Sequence, residues 1–134
     1  MVSTAAVMRD KLAEAIDVTV ADGTGIEKGT LLKLTDPRTA IISTAAADKC
    51  IGIAAREKVA SDGRTRLSVF TKGIFDMACS GVVGIGDPLQ SGAYNNVMAA
   101  TTDTSGSAVL GFALEAGTDE ELIQVYLDVG GGRV

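Results

Sequence analysis

Cys50-Ile51-Gly52-Ile53-Ala54-Ala55 has a near echo at Leu110-Gly111-Phe112-Ala113-Leu114-Glu115. In each copy a Gly sits between two bulky apolar residues and an Ala follows. Upstream of each lies a Gly-containing approach with an apolar landing, Lys28-Gly29-Thr30-Leu31-Leu32 in one case and Ile85-Gly86-Asp87-Pro88-Leu89 in the other. Gly86 follows Gly29 by 57 residues and Gly111 follows Gly52 by 59. One structural unit used twice accounts for the agreement. Solenoids need three or more stacked repeats, so the pattern predicts a compact pseudo-duplicated β-barrel or β-sandwich, an all-β fold.

Composition supports that class. The 134 residues fit one domain with a real core. Small and β-branched residues, 16 Gly and only 2 Pro favour short strands with tight bends. There is no His, which removes the usual general base, the Ser/His and Cys/His nucleophile pairs and the commonest metal ligand. Any enzyme built on this chain would have to work with carboxylates, Lys or Tyr. The formal charge of −5 argues against general affinity for nucleic acid or anionic membrane. Ala5-Ala6-Val7-Met8 runs directly into Arg9-Asp10-Lys11, so no secretory signal is expected. No run of about 18 apolar residues is present to span a bilayer. Cys50 and Cys79 lack CxxC spacing and read as buried small hydrophobes in a reduced compartment.

Along the chain, residues 1–16 form an N-terminal arm. Met8, Leu12, Ala15 and Ile16 recur at helical spacing and predict a short amphipathic helix. From Asp17 the period becomes two. The β domain covers residues 17–129, with strands around Val18–Val20, Leu31–Leu34, Ile41–Thr44, Ile74–Met77 and Glu121–Val129, and with a polar loop over 90–107. Residues 130–134 read as a flexible tail.

The segment 51–73 reads as a hairpin turning at Ser61-Asp62-Gly63. A three-residue loop pairs Val59 with Thr65, Glu57 with Leu67, Ala55 with Val69 and Ile53 with Thr71. It sends Ile51, Ile53, Ala55, Val59, Leu67 and Val69 inward. Arg56, Lys58, Arg64, Arg66 and Lys72 then share the outer face with Phe70. That face fits a solvated charged edge or a docking patch for an acidic partner.

Other motifs carry no chemistry. Gly84-Ile85-Gly86 lacks the third Gly of a dinucleotide fingerprint, and Lys28-Gly29-Thr30 has phosphate-loop residues in the wrong order. Glu115, Asp119, Glu120 and Glu121 lack the alternating ligands of a calcium loop.

Taken in order, the Lys28 approach, Ile51-Gly52-Ile53-Ala54, Lys72-Gly73-Ile74-Phe75, Gly86-Asp87-Pro88-Leu89, Leu110-Gly111-Phe112-Ala113-Leu114-Glu115 and Ile123-Gln124-Val125-Tyr126-Leu127 resemble the small capsid decoration, or cement, proteins of tailed phages. The resemblance implies a non-enzymatic virion protein, made in the host cytoplasm, without cofactor or metal. Such a protein sits on the outer capsid surface, bridges major capsid subunits and forms a homo-oligomer, a trimer or a dimer. Its capsid-binding candidates are Met8, Arg9, Leu12 and Ile16 of the arm and Arg56, Lys58, Arg64, Arg66, Phe70 and Lys72 of the hairpin. The alternative expectation is a small β-barrel that binds a ligand or carbohydrate, for which two Tyr and three Phe offer little stacking surface.

Overall fold

The computed structural model describes residues 5–101, 104 and 108–129. The expected tail at 130–134 and parts of the 90–107 loop fall outside these. Eleven strands are present among the described residues: β1 (Val7–Lys11), β2 (Ile16–Thr19), β3 (Leu31–Asp36), β4 (Thr39–Ile42), β5 (Cys50–Ala54), β6 (Arg66–Phe70), β7 (Lys72–Ala78), β8 (Pro88–Ser91), β9 (Val97–Ala99), β10 (Val109–Ala113) and β11 (Leu122–Asp128). The all-β expectation holds. The helix expected in the arm is instead strand β1, paired antiparallel to β7 with Met8 opposite Phe75. A lone helix of about ten residues is marginal in water, whereas β7 offers this segment a full set of backbone partners.

The duplication is complete at the level of strand pairing. β2-β4-β3-β5-β6 form a closed barrel, and β7, β11, β10, β8 and β9 repeat the same neighbour order with β1 added outside β7. β2 meets β4 in parallel, Thr19 to Thr39, and Cys79 makes the corresponding parallel bridge to Val97. Individual registers agree too. Leu32 pairs with Gly52 and Ile42 in the first half, and Leu89 pairs with Gly111 and Ala99 in the second. Val18 opposite Leu67 matches Met77 opposite Ile123. β9 lies inside the segment expected to be loop; its three residues are too few to show a period.

Each half has its own barrel interior. Val18, Val20, Ile26, Leu32, Ala40, Ala54, Leu67 and Val69 fill the first. Met77, Cys79, Val83, Leu89, Val97, Ala113, Ile123 and Val125 occupy the matching places in the second. A third layer joins the halves, in which Leu31, Cys50, Ile53 and Phe70 from the outside of the first barrel pack against Phe75 and Leu127 of the second. The Phe70 and Phe75 rings stand 6.2 Å apart. Hydrogen bonds reinforce this seam. Asn95 Oδ1 accepts from the Leu31 amide at 2.6 Å, and Ser91 Oγ accepts from the Asp48 amide at 3.0 Å.

The central glycines explain why simple alternation fails. Gly52 (φ 151°) and Gly111 (φ 156°) lie where the pairing shifts register, and a Cβ at either would overlap the backbone oxygen of Phe70 or Tyr126. The irregularity shifts the inward parity by one residue. Ile51 and Ala54 therefore serve the first barrel while Cys50 and Ile53 face the other half, so Ile51 and Ile53 do not share a face as the alternation predicts. In the second copy Leu110 is buried as expected, but Phe112 is 41% exposed.

The hairpin at 51–73 also differs. β5 ends at Ala54 and β6 begins at Arg66, with Ile53 opposite Phe70 and Ala54 opposite Val69. The tight three-residue loop is replaced by an irregular connection from Ala55 to Thr65. Val59 and Glu57 consequently lie in solvent, and Lys58 turns inside.

Candidate interaction surfaces

Lys58 is among the largest fully buried side chains of the described residues. Its backbone pairs with Ile26, which brings the β2–β3 and β5–β6 connections together at one end of the first barrel. From there Nζ donates to Asp62 Oδ1 (2.7 Å), Val59 O (2.7 Å), Asp22 O (2.8 Å) and Asp22 Oδ1 (2.9 Å). Burial by itself would lower the ammonium pKa, but these bonds to two carboxylates hold it above its ordinary value. The Lys58 hydrogen bond, with help from the Arg64 amide, draws Asp62 down to about 2. A fully satisfied buried cation is a structural clamp rather than a docking group. Lys58 is thus removed from the expected outer patch.

Phe70 leaves the patch as well, because it is half-buried in the seam between the halves. Lys72 is half-buried at the start of β7. Arg56, Arg64 and Arg66 remain exposed. Arg64 lies 4.0 Å from Asp62 and Arg66 3.8 Å from Asp17, contacts too long and too wet to hold either guanidinium tightly. From the arm, Met8 packs on the core of the second half, and Arg9 pairs with Asp76 at 3.4 Å. Leu12 and Ile16 are exposed. The structure therefore divides the predicted residues into inward-facing Lys58, Phe70 and Met8, a half-buried Lys72, and an outer set of three arginines and the arm residues Arg9, Leu12 and Ile16.

Sequence reasoning missed a second group. Val82 and Ile85 are each 76% exposed on the β7–β8 connection, which is pinned by the Val83–Gly117 bridge and by Gly84 N donating to Asp87 Oδ2 at 2.8 Å. Phe112 stacks on Tyr126 with ring centroids 5.0 Å apart on the outer face of β10 and β11. The available signal was the second motif copy itself, where Phe112 replaces Ile53 at a position whose facing depended on an unseen register shift. Among the described residues no three His, Cys, Asp or Glu side chains are grouped to hold a metal ion.

The two similar halves, packed on one another through a shared apolar seam, define a duplicated all-β fold. Residues 11–127 match the family model described as phage cement protein, and the chain belongs to that family. Its role is accordingly capsid decoration and stabilisation, and cement proteins are virion components that bind the capsid. The fold is similar to the crystal structure of the head fiber N base of bacteriophage phi29, with a TM-score of 0.58 and 13% sequence identity over 90% of this chain and 96% of that one. Among curated proteins none matches the sequence.

Proposed function

We propose that the chain acts without a catalytic step, binding the outer surface of the assembled head as a small homo-oligomer and tying neighbouring major capsid subunits together. The family match over residues 11–127 carries this reading. Two features support it physically. Rigid barrel ends present side chains that folding does not require at the surface: Val82 and Ile85 on the second half, and Arg56 and Arg64 on the β5–β6 connection of the first. Linking several copies then turns a modest contact per subunit into a strong total, because later contacts form at high effective concentration.

The test adds purified chain to heads that lack it and follows saturation by electron microscopy and heat release of DNA. The expected result is stoichiometric occupancy and a raised temperature of head rupture. Val82→Asp with Ile85→Asp should lower occupancy strongly at equal fold stability, and Arg56→Glu with Arg64→Glu should weaken binding most at low salt. Full occupancy by both double variants would remove these surfaces from the contact.

A further inference from the structure

Because each half repeats the other strand by strand, apart from the added β1, the outer faces of the shared strands have counterparts, and one pair of counterparts differs sharply in burial. On the first half, Leu31, Ile53 and Phe70 form an apolar row across β3, β5 and β6; Leu31 and Ile53 are almost fully buried because the second half covers them. Their counterparts on the second half are Pro88, Phe112 and Tyr126, paired in the same way across β8, β10 and β11. Among the described residues nothing covers the row, and Pro88 and Phe112 are exposed. The receiving surface shows the reverse. Phe75 of the second half, opposite Val125, meets Phe70 and is 2% exposed. Ile16 occupies the matching place in the first half, opposite Val69, and is 39% exposed.

The molecule thus uses one contact internally and displays both unsatisfied sides of the same contact externally. The geometry points to head-to-tail association of this chain with itself, in which the Phe112–Tyr126 row of one copy covers the Ile16 end of the next copy's first barrel, as Phe70 covers Phe75 within the chain. The interface is heterologous: two different surfaces meet, and successive copies close into a ring or extend as a filament according to the rotation between them. The internal seam is the template for the partner, which distinguishes this row from an apolar patch of unknown occupant. This extends the oligomer of the proposed function, and its test reads the contact in solution, apart from any capsid.

Phe112→Asp removes one side of the contact and Ile16→Asp the other. Sedimentation of the wild-type chain should give a discrete oligomer or a filament, and each variant alone should give monomer. Mixed in equal amounts at high concentration, the two variants each retain one intact surface and should form a one-to-one dimer and nothing larger. Wild-type chain that stays monomeric at all concentrations overturns the inference. So does Ile16→Asp protein that keeps the wild-type size, since that marks a symmetric contact through Phe112 alone. Near-UV circular dichroism checks that the variants fold. Should either be unfolded, Phe112→Cys and Ile16→Cys chains provide the second measurement, the native Cys50 and Cys79 being buried. A short bismaleimide should join the two kinds of chain to each other, and joining of Phe112→Cys chains only to themselves overturns the head-to-tail arrangement.

Discussion

The two halves share strand order, registers and central glycines, yet they secure the same barrel end by opposite means. In the first half the paired loops meet at Ile26 and Lys58, and a buried ammonium gathers four oxygens from both loops. In the second half the corresponding bridge is Val83 to Gly117, and a Cβ on Gly117 would overlap the Ile123 side chain and come within 3.2 Å of Cys79 Sγ. Apolar packing occupies the place of the charge cluster. The connection from Val20 to Ile26 is two residues longer than that from Cys79 to Val83. The longer loop turns the Asp22 carbonyl and carboxylate toward the Lys58 ammonium, whereas the shorter one leaves Val82 in solvent and is held by the Gly81 amide, which donates to Asp119 Oδ1 at 2.8 Å. Equivalent backbones therefore do not call for equivalent residues at their ends, but they do at the irregular strand positions, where only glycine fits.

The largest expected effect breaks what the halves share. Gly52→Val and Gly111→Val each force a side chain into a backbone oxygen at a φ that L-residues rarely adopt, and each should cost more than about 4 kcal/mol, seen as loss of cooperative urea unfolding. Comparable losses at both sites are the point; a tolerated Gly111→Val would show that the second copy has escaped the constraint.

Next comes the feature that separates them. Lys58→Met leaves Asp22 and Asp62 facing each other and four acceptors without their donor, so the urea midpoint should fall clearly. Adding Asp22→Asn and Asp62→Asn should recover part of the loss, which a simple packing defect would not.

A smaller effect is carried by pH. The Asp62 carboxyl is held at about 2 against an ordinary value of 3.8, so its stabilising contribution is present above about pH 4 and is lost as pH falls through the folded value near 2. Thermal unfolding from pH 5 to pH 2 should show this loss in the wild type and a flatter profile in Asp62→Asn. An identical slope in the two proteins would place the acid sensitivity elsewhere.

The smallest change is expected at the surface. Arg66→Ala removes a 3.8 Å contact with Asp17 between largely exposed side chains and should alter stability by less than about 0.5 kcal/mol in urea unfolding.

Much of this fold was legible. The 57- and 59-residue spacings signal the duplication, and the alternation of Ile123, Val125, Leu127 and Val129 predicts the inward face of β11, which the structure bears out. What alternation could not reveal is a change of parity in mid-strand. Nothing in Ile51-Gly52-Ile53 distinguishes a regular strand from one whose register shifts at the glycine, so the facing of Ile53 and Phe112 stayed hidden. Lys58 was hidden for a related reason. Its charge argues for solvent until Asp22, 36 residues earlier, is known to lie 2.9 Å away. The arm showed a helical period by coincidence of spacing, since a strand's need for a distant partner leaves no local trace. Of the candidate surface, the three arginines were visible as charge, but Val82 and Ile85 resembled any apolar pair beside a glycine turn.

The path of the N-terminal strand bears on how the chain reaches this structure. Ala6 donates its amide to Gly29 O of the first half, β1 then lies along β7 of the second, and β2 returns to the first barrel. β1 thus finds its partner only after β7 has been made, and β11 completes the other side of β7. Folding dominated by such distant pairings is slow among domains of this size. Until β7 is made, β1 is a strand without its partner, and its unpaired edge is open to association with other chains.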